Sequence, residues 1–290
     1  KYRMGLLGAH VSAAGGVENA PARGTAINAD AIQIFTANQN QWFPKEPDEE
    51  NSKRYQQAME KERPQMTVSH ASYLLNMGSP EEKKLNMSRQ AFLSELNRCD
   101  ACGVEYVVFH PGSHMKTDEM ECLSRIAESL NYCMGKRPDG KVIVLIENTA
   151  GQGTNVGYRF EHLIEIIENV DLKDRVGVCF DTQHGFASGY DIRTEERWKE
   201  TFKEFDKTVG LEWLKMFHIN DSKKEFGSRV DRHENIGKGL LTMETFWCLV
   251  NDERFSALPM LLETPVEDPS GYAVELELLR KLEGSKKPAR

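Results

Sequence analysis

The sequence predicts an α/β fold, a (β/α)8 TIM barrel in a single domain. Short segments rich in Val, Ile and Leu alternate with longer amphipathic stretches along the 290 residues. The alternation repeats through eight strand–helix units, and no Ser/Gly/Pro-rich linker divides the chain into halves. Near-continuous apolar strands joined by helices imply a parallel sheet covered on both faces. Eight units at this length suit a closed barrel better than an open doubly wound sheet.

The strands are expected at 5–12, 31–36, 67–72, 106–111, 142–148, 176–182, 214–220 and 259–264, each a short apolar run. The helices between them follow from spacing. Met120, Leu123, Ile126, Ala127 and Leu130 recur at i, i+3, i+4 and i+7, as do Phe160, Leu163, Ile164 and Ile167. Further helices are expected at 49–62 and 195–209, and a last one at 273–282 on Leu276, Leu279 and Leu282. The barrel domain is expected to span 1–284, with 285–290 as a disordered basic tail.

Composition narrows the function classes. Asp and Glu outnumber Lys and Arg by 45 to 37, a formal charge of −8, which argues against nucleic acid held by bulk charge but allows a local patch or a carboxylate site for cations. The longest apolar run, 142–146, is far short of the roughly 20 residues of a bilayer span, so no membrane partner is expected. Six cysteines are too few for a disulfide scaffold. The expected location is intracellular, in the cytoplasm or nucleoid or in a nucleus, with an organelle left open because residue 1 is Lys and not Met.

Chemistry concentrates at the strand ends. The third strand ends in His70, the fourth in His110, the fifth in Glu147, the sixth in Asp181, the seventh in His218 and the eighth in Glu263. Strand C-termini of a barrel converge on the face that carries active sites. One such residue is usually a turn or cap residue; six on consecutive strands are not. Carboxylates gathered there repel unless cations neutralise them. That implies a polynuclear metal site, and imidazole with carboxylate suits zinc or manganese. His184, three residues past Asp181, together with Asp231 and His233 at i, i+2 on the next loop, would hold a third ion.

Other features carry less. Gly151-Gln-Gly153 lacks the third glycine of a dinucleotide fingerprint. Cys99 and Cys102 form an isolated pair that reads as core thiols. His162 reads as a surface or packing residue of its helix, and His114 as loop polarity.

The motifs Gly8-Ala-His-Val-Ser-Ala-Ala-Gly-Gly16, Glu147-Asn-Thr-Ala-Gly-Gln-Gly153, Phe180-Asp-Thr-Gln-His184, His218-Ile-Asn-Asp-Ser222 and Gly227-Ser-Arg-Val-Asp-Arg-His233 resemble the endonuclease IV family of zinc-dependent apurinic/apyrimidinic endonucleases. The resemblance runs from residue 8 to about 265. It implies three zinc ions, with Mn²⁺ as an alternative at some sites. One would be held by His70, His110 and Glu147, one by Glu147, Asp181, His218 and Glu263, and one by His184, Asp231 and His233.

The implied activity is hydrolysis of the phosphodiester 5′ to an abasic site in duplex DNA, leaving a 3′-hydroxyl and a 5′-deoxyribose phosphate, with trimming of blocked 3′ ends. Glu147 and Glu263 would act catalytically by positioning the nucleophile. Gln39, Asn40, Tyr73 and Leu74 would probe the DNA, Arg229 and Arg232 would meet phosphates, and the chain would act as a monomer. Asn40 stands where family members often carry a basic residue, and Gln183 where Cys is commoner. Three zinc ions would offset most of the formal −8. The competing reading is a metal-dependent sugar isomerase of the xylose isomerase type, which leaves the third ligand set unexplained.

Overall fold

A strand buried on both faces sends alternate side chains to opposite sides, and this chain uses that alternation to build two apolar layers. The computed structural model describes residues 5–42, 44 and 48–288. Its strands are β1 (Leu7–His10), β2 (Ala31–Ile34), β3 (Met66–His70), β4 (Tyr106–Phe109), β5 (Ile143–Glu147), β6 (Val176–Asp181), β7 (Leu214–Ile219), β8 (Asp221–Ser222), β9 (His233–Glu234) and β10 (Met260–Leu262). Eight of them close into a parallel barrel in the order β1-β10-β7-β6-β5-β4-β3-β2. The short β8 and β9 pair with each other, antiparallel, outside the barrel.

Each of the eight expected strands forms inside its expected limits, apart from Met66, which extends β3 at its start. Between them run α1 (Ala20–Ala26), α2 (Glu49–Lys61), α3 (Glu82–Cys102), α4 (Glu119–Gly135), α5 (Phe160–Glu168), α6 (Thr182–Ser188), α7 (Glu195–Thr208), α8 (Met243–Asn251) and α9 (Ser270–Leu282). Their starts follow local chemistry. Asp48, Asp118 and Thr194 sit before α2, α4 and α7 and accept a backbone N–H from the first turn with their side chains.

Alternation sorts the strand residues cleanly. Val107 and Phe109, Val144 and Ile146, and Val178 and Phe180 face the helices and join the large outer core. Ala31, Met66, Val68, Val108, Leu145, Cys179, Met216 and Leu261 face inward and fill the barrel. All six cysteines are buried as free thiols, Cys99 and Cys102 among them. Among the described residues no helix is long and apolar enough to cross a membrane. At the C-terminus, Lys287 pairs with Glu195 at 3.0 Å; Ala289 and Arg290 of the basic tail lie outside the described residues.

Gly8 occupies the tightest point of the barrel. A Cβ there would lie 1.7 Å from the Ala31 carbonyl oxygen and 2.8 Å from Leu261 Cδ2, and the former, as backbone, cannot swing aside. Gly8→Ala is expected to cost about 1–3 kcal/mol, the usual penalty of overpacking, as a lower denaturation midpoint. An unchanged midpoint would contradict the close approach.

Candidate metal centre

One pleat above the inner apolar layer, the next inward residue of each strand stands at the barrel mouth. Val68 is followed by His70, Val108 by His110, Leu145 by Glu147, Cys179 by Asp181, Met216 by His218 and Leu261 by Glu263. The parity extends to the two strands on which no ligand is expected. Ala31 leads to Gln33 and Gly8 to His10, and His10 lies beside Gln33 in register. The mouth is therefore a ring of eight polar side chains, of which six carry titratable donors at the expected strand ends.

His184 joins this ring through a helix cap. Asp181 Oδ1 accepts the His184 N–H at 2.9 Å and caps α6, while Asp181 Oδ2 remains on the ring and accepts from Asn220 Nδ2 at 2.8 Å. Asp231 arrives from the segment before β9, and His233 is the first residue of β9. Asp231 Oδ2 lies 3.1 Å from His184 Nε2 and Oδ1 3.3 Å from His233 Nε2.

The donors gather in three groups: His70, His110 and Glu147; Glu147, Asp181, His218 and Glu263; and Asp181, His184 and His233, with Asp231 against the last. Glu147 faces two groups at once. Its Oε2 lies 3.1 Å from His70 Nε2 and 3.2 Å from His110 Nε2, and its Oε1 lies 3.1 Å from both His184 Nδ1 and His218 Nδ1.

The histidines are held so that lone pairs converge. His70 Nδ1 donates to the Ala71 carbonyl at 2.8 Å, His184 Nδ1 to the Asn148 carbonyl at 2.9 Å, and His218 Nε2 to Gln33 Oε1 at 2.6 Å. In each the other ring nitrogen is left to point into the cluster, the arrangement that orients imidazole for a cation. Glu147 Oε1 and His218 Nδ1 are buried without a hydrogen-bond partner despite their 3.1 Å approach. The Nε2 atoms of His184 and His233 face each other at 3.4 Å. Buried polar atoms in this state call for a cation between them. The residues present fit a metal cluster.

Electrostatics point the same way. Burial disfavours charge on every group here, but it is outweighed at His184 by Asp181 and Asp231, and at His218 by Cys179 followed by Glu263 and Glu147, so both histidines are held well above the usual imidazole range. Facing His218 and His110, Glu147 is held well below the ordinary carboxylate range against the same burial. Burial raises Asp181.

Sequence reading missed the supporting amides. Gln33 Oε1 accepts from His218, and Gln33 Nε2 donates to Glu263 Oε1 at 2.7 Å and approaches His10 Nδ1 at 3.1 Å. Asn148 Oδ1 accepts the Asp181 N–H at 2.6 Å. A signal for Gln33 and His10 existed in the alternation: each stands two residues past an inward position. His162, buried in α5, lies 3.1 Å from Glu119, and His114 turns to the Thr117 carbonyl at 3.0 Å.

The residues expected to meet DNA surround the ring without joining it. Tyr73 is 60% exposed, its ring centroid 5.1 Å from that of His70 and 5.3 Å from that of His110. Leu74 follows it, also exposed. Gln39 and the exposed Asn40 lie on the loop before α2, and Ser72 Oγ donates to the Gln39 carbonyl at 3.1 Å, tying the two loops together. The Arg229 guanidinium stacks 4.1 Å over Tyr158, and Arg232 Nη1 donates to the Asp231 carbonyl at 2.7 Å.

Residues 22–282 match the model of the xylose isomerase-like TIM barrel family. The chain is similar to endonuclease IV from Thermus thermophilus, at 31% identity and a TM-score of 0.85 over 96% of this chain and 98% of that one. A D-tagatose 3-epimerase-like protein superposes at 18% identity and a TM-score of 0.73, covering 96% of each chain. The IOLI protein, solved with a bound zinc atom, does so at 19% and 0.68, again over 96% of each. These last two likenesses show the fold alone.

Two outcomes follow from the site. Gln33→Leu should weaken metal binding at the group containing His218 and Glu263 by about 10–100-fold, read by titration with zinc; undiminished affinity would refute an orienting role. In the metal-free protein, burial pulls His233 down, but Asp181 and Asp231 raise it from 6.5 to about 9. That stabilisation is complete below pH 6.5 and lost as pH rises through about 9. The metal-free melting temperature should fall over this interval, and a rise there would exclude the pairing.

Proposed function

The chain belongs to the xylose isomerase-like TIM barrel family and, within it, to the endonuclease IV family, and from this premise we propose that it is a zinc-dependent DNA-repair endonuclease. It hydrolyses the phosphodiester 5′ to abasic sites in duplex DNA, leaves a 3′-hydroxyl and a 5′-deoxyribose phosphate, and trims blocked 3′ ends. The observation that carries this reading is the third donor group. His184, Asp231 and His233 lie within 3.1–3.4 Å of one another, outside what a dinuclear sugar isomerase would use.

His70, His110 and Glu147 would hold one ion, Glu147, Asp181, His218 and Glu263 a second, and His184, Asp231 and His233 a third. Zinc bound there lowers the pKa of water toward neutrality and offsets charge on phosphoryl oxygens. The protein's own residues do the rest. Glu147, with one oxygen toward each histidine pair, spans the two groups it serves. Glu263, with Oε1 held by Gln33, keeps Oε2 3.3 Å from His218 Nδ1, and the two glutamates together position the attacking water.

Recognition falls to the rim. Tyr73, exposed beside His70 and His110, enters the duplex at the lesion with Leu74, while Gln39 and Asn40 approach from the adjoining loop. Arg229 and Arg232, on the segment that carries Asp231, meet phosphates. Damaged duplex is thus the partner.

The test is incision of a duplex bearing one abasic site, beside an undamaged duplex and a chelator-treated sample. The expected result is a cut 5′ to the lesion, lost on chelation and restored by zinc. Fully metal-loaded protein that leaves the lesion intact and epimerises or isomerises a sugar would overturn the reading. Glu147→Gln should lower kcat on the order of 10²–10³-fold. Tyr73→Ala should lower kcat/KM for abasic duplex by about 5–100-fold, the worth of one stacking contact, with zinc content unchanged.

A further inference from the structure

Two of the three donor groups are built on barrel strands, whose interior packing holds them. Asp231 and His233 lie outside the barrel; the β8–β9 pair and the Glu263 carbonyl, 3.3 Å from Nδ1, tie down His233, and neither holds Asp231. Residues 223–229 are exposed one after another, and the Asp231 side chain is itself 40% exposed. Apart from Phe226, whose ring centroid lies 5.6 Å from that of Phe186, residues 223–229 offer no large apolar side chain, so the placement of Asp231 rests on polar contacts.

Two of those contacts, both from side chains, hold one peptide unit. The Val230 carbonyl accepts from Gln183 Nε2 at 3.0 Å, and the Asp231 N–H donates to Gln152 Oε1 at 2.9 Å. These are the two polar groups of a single peptide plane, held from opposite directions by two glutamines. Gln183 is fully buried at the start of α6, next to His184. Its Nε2 also donates to Ser222 Oγ at 3.1 Å, which anchors β8, the partner strand of β9. Its Oε1 has no hydrogen-bond partner. The amide is therefore turned for what its nitrogen can donate, since an oxygen facing the Val230 carbonyl would repel it. Just upstream, Arg229 adopts a left-handed φ of 56°, its backbone N–H donating to the Ala187 carbonyl at 2.8 Å, so the chain enters the clamped peptide through a strained bend that it would not hold unaided.

We propose that Gln183 and Gln152 are positioning residues for the third metal: they clamp the Val230–Asp231 peptide so that Asp231 meets His184 and His233. The inference rests on the reading above, that His184, Asp231 and His233 hold an ion. The clamp makes the third ion separately removable, because the placement of Asp231 depends on two side-chain amides, while the other two groups are held by the barrel strands.

Zinc titration of the metal-free protein against a chelating dye reads both claims apart from activity. Wild type that takes up fewer than three ions would overturn the underlying reading before any variant is compared. With three bound, Gln183→Leu, which has nothing to donate to the Val230 carbonyl, should weaken the third ion on the order of 10–100-fold and leave the other two as tight as before. Gln152 is exposed, so Gln152→Leu leaves the core untouched and should do the same; it decides the matter alone if Gln183→Leu does not fold. Gln152→Glu keeps an acceptor for the Asp231 N–H and should restore the third ion. Three ions held as tightly in Gln152→Leu as in wild type would overturn the clamp.

Discussion

The structure turns on the cost of gathering carboxylates out of water. Glu147, Asp181 and Glu263 end strands of one barrel, and Asp231 is brought to them. Their charge cannot remain uncompensated at a buried mouth. Everything around them answers that constraint: histidines between the carboxylates, ring nitrogens committed to backbone carbonyls or to Gln33, and lone pairs left facing one another. The rest of the barrel provides the frame in which this expensive assembly can be held still.

The frame is generic and the mouth is not. The D-tagatose 3-epimerase-like protein and the Thermus thermophilus endonuclease IV share the architecture with this chain, although their names point to different chemistry. A barrel of this kind says where a site will be, and only the side chains at the strand ends say what it does. Here the donors include a set on the loops, reached through the Asp181 cap and the β8–β9 pair.

Much of this was legible in the residues. Eight apolar runs with helical spacing between them specify the barrel, because strands covered on both faces must be apolar throughout and helices on a sheet must be so on one side. The six strand-end donors were legible because a His or a carboxylate at the end of an apolar run is conspicuous. Gln33 and His10 were not, although they obey the same alternation: glutamine carries no charge, and His10 sits within a motif rather than at a strand's evident end. Helix α6 was also hidden, since Thr182–Ser188 has no apolar period and is set by the Asp181 cap. The contact made by Gln183 was hidden too, because its hydrogen bond to Val230 joins positions 47 residues apart.

The ring of donors stands one pleat above the residues that fill the barrel. Replacing a ring residue therefore leaves Val68, Val108, Leu145 and Leu261 packed as before, so folding and chemistry are written in separate rows of the same strands. A lineage built on this plan can rewrite its reaction by exchanging the upper row while the lower row keeps the protein folded, and its history of function need not be a history of lost and regained stability.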